Sequence, residues 1–184
     1  LGGDHFVYRI EIAEARDTLH NHTISWANDR FEINRTAGFI IPKGNKWSVN
    51  IYIAEEQGNT YKGALRLIPV GLPKGVRMIA PDYTPGMNGV PCLFAADSDA
   101  APAAQLFHIR LKRLDDDGFV DTSSQAYIPF INHSGGRSWH HAHLMSYAIG
   151  IVESSPFTID VTQPTIPISQ AGELRLNVRI NRNE

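Results

Sequence analysis

Cysteine is nearly missing from this sequence, in which Cys92 is the single one among 184 residues. A disulfide within the chain needs two cysteines and a multi-cysteine zinc site needs several, so both are excluded. Cys92 stands among Val90, Leu93 and Phe94, where we expect a buried structural thiol. Long apolar runs are missing too, because none reaches the roughly 18 residues that a membrane-spanning helix needs. We therefore expect no membrane span.

An excess of charge of either sign is also lacking. Lys and Arg number 17 against 19 Asp and Glu, which gives a net charge of -2. Domains that bind nucleic acid normally carry a clear basic excess, so no nucleic-acid partner is expected. The sequence has no G-x-S-x-G nucleophile elbow, no phosphate-binding P-loop and no G-x-G-x-x-G dinucleotide motif. We therefore expect a protein that is not an enzyme.

What the sequence has in abundance is alternation of apolar and polar residues with period two. Four segments show it: 5–12, 47–53, 107–112 and 174–180. Fifteen glycines and eleven prolines punctuate the chain and leave little room for helices. Short alternating strands separated by such turns predict an all-β fold, namely an immunoglobulin-like antiparallel β-sandwich with flanking strands from adjacent modules. The predicted core contains Trp47, Val49, Ile51, Leu65, Leu67, Phe107 and Ile109.

Two segments of the chain are alike, and they suggest tandem modules. Phe31 and Phe157 each begin a short apolar stretch that is followed, 16 or 17 residues later, by an alternating run. Such a repeat is expected of tandem sandwich domains. We predict four parts, in a chain that is a piece of a longer protein. They are the end strand of a preceding β module plus a linker (1–27), an immunoglobulin-like sandwich (28–116), a connecting segment (117–154) and the opening strands of a second similar module (155–184).

Several motifs carry a resemblance to a known family. Residues 2–12 (GGDHFVYRIEI) resemble the closing strand of the pre-peptidase C-terminal-type β-sandwich found in large exported bacterial proteins. Residues 31–115 resemble the immunoglobulin-like module that follows it, most distinctively at 71–76 (GLPKGV) and also at 61–67 (YKGALRL). Ala103 departs from the family pattern, because it stands where a glycine is usual. The resemblance implies export to the periplasm, the cell surface or the medium, and it brings no catalytic residues.

The same resemblance implies a non-catalytic spacer, adhesion or ligand-binding module. Its expected partners are the neighbouring β modules of the parent chain, together with a glycan or a protein ligand. The terminal segments 5–12 and 157–182 each have one apolar face that needs a cover. If their own modules are missing, they can pack on the central sandwich or pair with another copy. The second outcome is a strand-exchanged homodimer.

Five of the eight histidines form two clusters: His20 and His22 form the first, and His140, His141 and His143 form the second. Residues two apart on a strand share a face, so either cluster can present two imidazoles to one metal such as zinc. The second cluster fits part of the cupin motif, but the position of its glutamate is not acidic. A metal-dependent, cupin-like site at His141 and His143 is therefore the alternative to a surface or linker segment with solvated imidazoles.

A run of aspartates is the second candidate metal site. Asp115, Asp117 and Asp121 supply three carboxylates near Gly118, and calcium prefers several oxygen ligands from one tight loop. Arg113, however, occupies the first position of the fuller D-x-D-x-D-G pattern. An acidic loop between modules is the ordinary explanation. We expect the protein to bind no cofactor. The alternatives are calcium at these aspartates and zinc at the histidines.

Aromatic side chains make up 9% of the chain and offer one further function. Aromatic rings stack on the apolar faces of sugars, so a carbohydrate-binding module is an alternative. The candidates for such a platform are Tyr52, Tyr61, Tyr83, Tyr127, Trp26 and Trp139.

Overall fold

The structure is a computed structural model that describes residues 12, 18–23, 38–55, 61–132, 138–162 and 164–182, without the side chains of 55, 127–132 and 138–143. These residues form twelve strands, no helix is found among them, and the predicted all-β fold is confirmed. No helix in this part of the chain could cross a membrane. The strands are β1 (Thr18–Thr23), β2 (Gly38–Pro42), β3 (Lys46–Glu55), β4 (Leu65–Val70), β5 (Val76–Ile79), β6 (Val90–Ala96), β7 (Ala103–Arg113), β8 (Phe119–Asn132), β9 (Ser138–Leu144), β10 (Tyr147–Val152), β11 (Phe157–Val161) and β12 (Val178–Arg182).

Ten of these strands build a sandwich of two layers. One layer has the strand order β8-β1-β3-β6-β5, and β9 pairs with the far part of β8. The other layer has the order β2-β10-β7-β4. The β7–β8 hairpin connects the layers through the pairing of Leu111 with Val120. The aromatic rings of Phe39 and Phe107, from the second layer, meet Phe94 of the first with centroids 5.2 and 5.4 Å apart.

The alternating pattern places the expected side chains in the core. Phe107 and Ile109 of β7 are buried, and so are Leu65 and Leu67 of β4. Ile51 of β3 is fully buried as well. Burial of these side chains between two sheets is the main favourable contribution to folding.

The predicted burial of Trp47 is wrong, because 42% of this side chain remains exposed. Trp47 is the second residue of β3 and lies opposite Phe94 of β6. Phe39 and Phe107 pack against Phe94. An indole at the beginning of the neighbouring strand is therefore covered only in part, as large side chains near the end of a sheet often are.

Two strand pairs are parallel, which the alternation did not predict. β1 runs parallel to β8, and β2 runs parallel to β10. Period-two alternation assigns faces in both kinds of sheet, so it carries no information on the direction of a partner strand. The immunoglobulin-like topology stays a prediction.

The 71–76 segment reverses the chain, as predicted, and also transfers it between the layers. Gly71 has a φ of 90° and Gly75 a φ of 83°, a region that favours glycine. A Cβ on Gly75 would lie 2.9 Å from the Cβ of Ala100. The turn leads from β4 in one layer to β5 in the other, and it is architectural.

In the structure, the segment predicted to connect two modules forms strands that belong to the sandwich. The 117–154 segment, expected as a connection, contributes β8, β9 and β10. β8 pairs with β1 and β7, β10 pairs with β2 and β7, and β9 pairs with β8. In the last part of the chain, β11 and β12 pair with each other as a separate two-stranded sheet. The strand expected over 174–180 begins only at Val178. The strand expected over 5–12 lies outside the described residues except for Ile12, and the module boundaries stay a prediction.

Candidate functional site

The two histidine clusters lie along different stretches of β8. His20 and His22 of β1 pair with Ser123 and Gln125, whereas β9, which holds the other cluster, pairs with residues 126–132. The rings of His20 and His22 lie 5.5 Å apart. Burial, and secondarily the charge of His20, lower the pKa of His22. This pair offers only two imidazoles, whereas a metal site usually needs three or more ligands. Among the described residues, no three His, Cys, Asp or Glu side chains come together in such a group.

The side chains of His140, His141 and His143 lie outside the description. The backbone places His141 opposite Pro129 and His143 opposite Tyr127. Their role in binding a metal stays a prediction.

The aspartates of the 115–118 loop point to separate basic or polar neighbours. The Lys112 ammonium lies 2.8 Å from Asp117, and the Tyr61 hydroxyl donates to Asp115 at 3.2 Å. The hydrogen bond and charge of Lys112 lower the pKa of Asp117. Asp121 lies beyond the turn, on the exposed face of β8. The described carboxylates therefore do not converge on one point, and calcium binding here stays a prediction.

Of the tyrosines expected as a sugar platform, Tyr61 and Tyr83 line one small pocket, and carbohydrate binding stays a prediction. Tyr61 and Tyr83 are half-buried and pack against the core. Tyr52 is half-buried and stacks with His22, with centroids 5.6 Å apart. The side chains of Tyr127, Trp26 and Trp139 are outside the description.

Cys92 is fully buried, as predicted. Burial raises the pKa of its thiol to about 12, so the reactive thiolate form is absent at neutral pH. This cysteine is structural.

A small polar network crosses the interior between the layers. Buried Asn21 of β1 donates from Nδ2 to the carbonyl oxygen of Ile109 in β7, at 3.0 Å. The hydroxyl of Tyr147 in β10 lies 2.7 Å from Asn21 Oδ1 and 2.8 Å from its carbonyl oxygen. Ser124 of β8 accepts from the Ile109 amide at 2.8 Å. These partners satisfy the buried polar groups, so the network fixes the packing of four strands.

A large open concavity is an apolar trough on the outer face of β2, β10 and β7, with a volume of about 890 Å³. Small residues of the three strands form its floor. Ile40 on one side and Leu106 on the other form its walls, and they are 60% and 62% exposed. Val152 lies at its end. The floor residues are Gly38, Ala104, Ala148 and Gly150.

A second apolar surface belongs to the ribbon, the name used below for β11 and β12. Their register pairs Ile159 with Ile180 and Val161 with Val178, on the same face as Phe157. All five side chains are exposed. The opposite face is polar, since Asp160 and Asn181 lie there and hydrogen-bond to each other at 2.6 Å.

A joint made by the β2–β3 turn and the 153–157 segment connects the sandwich to the ribbon. The Lys43 ammonium lies 2.9 Å from the Glu153 carboxylate. Asn45 Nδ2 donates to Ser155 Oγ at 2.7 Å, and Ser155 Oγ donates to the carbonyl oxygen of Phe157. The ribbon therefore begins at a defined place on the sandwich.

Sequence reasoning missed the trough, although a signal for it exists. β2 (GFIIP) and β10 (YAIGIV) are apolar at nearly every position and do not alternate. A strand that is apolar on both faces is usually covered on both faces. Here the inner face is covered by the core and the outer face is the trough.

A second, smaller groove of about 390 Å³ is polar and lies on the outer face where β7 and β8 separate. The guanidinium group of Arg110 stands 3.7 Å above the centre of the Phe119 ring. His108, Asp121 and Thr122 complete the lining. This groove offers an aromatic ring and hydrogen-bonding groups together.

No protein-family model and no curated protein match the sequence. The chain is similar to a solved structure of domains 5–6 of the S-layer protein SbsC, with 10% identity and a TM-score of 0.37 over 80% of this chain and 58% of that one. A structure of SbsC domains 1–6 matches with 11% identity and a TM-score of 0.32 over 81% of this chain and 21% of that one. The chain thus spans less than two thirds of either structure. The resemblance to pre-peptidase C-terminal-type modules stays a prediction.

Proposed function

We propose that this chain is a non-catalytic β-sandwich module of a larger exported bacterial protein, where it serves as a spacer or adhesion unit between neighbouring β modules. The observation that carries the proposal is the ribbon, a two-stranded sheet with one apolar face exposed and a joint to the sandwich. An isolated two-stranded sheet is at best marginally stable in water. A ribbon of this kind needs a further β-rich surface to cover it.

The trough supports the same conclusion from the sandwich side. Monomeric proteins rarely leave a large contiguous apolar patch exposed unless it binds a partner. The trough and the ribbon lie at the two ends of the 153–156 connection, so the module has apolar surfaces on both sides of its joint. This arrangement suits a unit that packs against neighbours.

The interior supports a non-catalytic role. Asn21, Ser124 and Tyr147 are buried and hydrogen-bonded to strands of the sandwich, and Cys92 keeps its proton. A catalytic group normally reaches a cleft that substrate can enter. The buried polar groups of the described residues instead connect strands.

The location is tested by labelling intact cells that produce the parent protein. We expect a membrane-impermeant amine reagent to modify exposed lysines such as Lys74 without cell lysis. A cytoplasmic protein, used as the control, must stay unlabelled until the cells are lysed. Labelling only after lysis, with neither the periplasm nor the medium containing the protein, contradicts export.

The competing functions are tested on the purified chain without a histidine tag. Stoichiometric zinc, iron or manganese that is lost on His141→Ala would favour the metal-dependent alternative. A glycan array with and without calcium separates ligand binding from spacing. Binding that is lost on Phe119→Ala would assign it to the groove between β7 and β8, whereas binding that is lost on Tyr83→Ala would assign it to the tyrosine candidates.

A further inference from the structure

We propose that the ribbon of one copy seats its apolar face in the trough of a second copy, and that the reverse contact forms at the same time to give a two-fold dimer. This inference shares one premise with the proposed function, namely that the ribbon and the trough are surfaces that bind a partner. It adds the partner, which is a second copy of this chain, and the residues that meet.

The two surfaces are complementary in shape. The trough has a floor of small residues, including Ala148 and Gly150, between the walls of Ile40 and Leu106. The ribbon presents two parallel rows of large aliphatic and aromatic side chains, of which Ile180 is 63% exposed. Large side chains on one sheet fit between small ones on another when two sheets pack face to face.

Within one chain the two surfaces do not meet. The trough walls and the ribbon face remain exposed in the same structure. Only four residues, 153–156, connect the strand that ends at Val152 with the one that begins at Phe157. The joint holds this short connection against the β2–β3 turn, and in this arrangement the ribbon does not lie over its own trough. A second copy can supply the missing cover.

The area argues for a reciprocal dimer. Even complete burial of the exposed side chains of one ribbon and one trough would remove at most roughly 900 Å² from water, which is below the usual threshold for a biological interface. Two reciprocal contacts double this limit to roughly 1,800 Å², so only the reciprocal arrangement can reach the range of about 1,200–2,000 Å² of specific interfaces. Because each copy both gives a ribbon and receives one, two copies use all four surfaces and the assembly is closed.

The test is sedimentation equilibrium of the purified 184-residue chain and of two single variants. Ile180→Lys places a charge on the ribbon, and Gly150→Glu places one on the trough floor. A Cβ at position 150 meets only the Ala103 carbonyl oxygen, at 3.6 Å, so the second change is compatible with the sandwich. We expect a dimer for the unchanged chain, and a dissociation constant at least about tenfold higher in each variant.

The matched control is Ile79→Lys, which charges an exposed isoleucine of β5 that belongs to neither surface. It should leave the dimer intact. An equimolar mixture of Ile180→Lys and Gly150→Glu keeps one intact ribbon and one intact trough. We expect this mixture to associate more strongly than either variant alone. Circular dichroism at low concentration checks that every variant is folded.

Three results would overturn the inference: a strictly monomeric unchanged chain at about 100 µM, a dimer that survives both changes, or equal loss of association in the Ile79→Lys control. None of them affects the proposed module function, which is judged by export and by metal and glycan binding. Conversely, a cytoplasmic or metal-dependent protein could still form this dimer. The two proposals therefore fail separately.

Discussion

Strand β7 of the sandwich and strand β12 of the ribbon share the same period-two pattern, but their apolar sides face different surroundings. Ile109 of β7 is fully buried beneath the opposite layer. Ile180 of β12 is 63% exposed, because no second layer covers the ribbon. Alternation therefore decides which side of a strand is apolar, while burial depends on whether another sheet lies against that side.

The same contrast holds for two asparagines. Asn21 is enclosed between the layers and hydrogen-bonds to β7 and β10. Asn181 donates to Asp160 on the exposed side of the ribbon. A buried amide that loses its partners cannot find water, whereas an exposed one can. The two regions should thus respond very differently to equivalent substitutions.

The largest effect is expected from matched truncations of apolar side chains. Phe107→Ala removes a buried ring between the layers and should lower the free energy of unfolding by about 3–5 kcal/mol. Ile180→Ala should change it by less than about 0.5 kcal/mol, since the side chain is mostly exposed in the single chain. Urea unfolding at a concentration where the chain is monomeric measures both. Similar decreases in the free energy of unfolding would show that Ile180 is packed against the sandwich as tightly as Phe107 is.

A smaller effect is expected from the two asparagines. Asn21→Ala leaves the buried Ile109 carbonyl oxygen with only the long contact to Ser124 Oγ at 3.4 Å, and should lower the free energy of unfolding by about 1–3 kcal/mol. Tyr147→Phe removes the other side of the network and should cost about 1–2 kcal/mol.

Asn181→Ala is the control on the exposed side, and its effect should be close to zero because water replaces Asp160 as its partner. The same unfolding experiment applies. A loss for Asn181→Ala as large as that for Asn21→Ala would contradict the difference between a buried and an exposed amide.

Sequence patterns predicted the local features of the fold. The alternation of Phe107, Ile109 and Leu111 identified β7 and its buried face, and the spacing of Gly71 and Gly75 identified a turn. Both depend on the stereochemistry of neighbouring residues, which is written directly in the sequence.

Features that depend on distant segments were not predictable. Asn21 is buried because its partners lie 88 and 126 residues away in the chain. Trp47 is half-exposed because the rings that pack against Phe94 come from two other strands, β2 and β7. The trough arises where β2 and β7 lie on either side of β10, an order of strands that no local pattern reveals.

The smallest predicted effect is a loss of stability at low pH. It concerns the sandwich alone, because it depends on the protonation of His22 in β1. Burial, with the charge of His20 as the second cause, lowers the pKa of His22. On the adjacent strands, Tyr52 and Gln125 are its register partners. The unfolded chain therefore takes up the proton first, and the stability present above about pH 6.5 decreases as the pH falls below that value. We expect the melting temperature to fall between pH 7.5 and 5.5, and to fall less in His22→Gln. His108→Gln, on the exposed face of β7, controls for the loss of an imidazole as such. Equal slopes in the unchanged chain and in His22→Gln would mean that protonation of His22 is not coupled to folding of the sandwich.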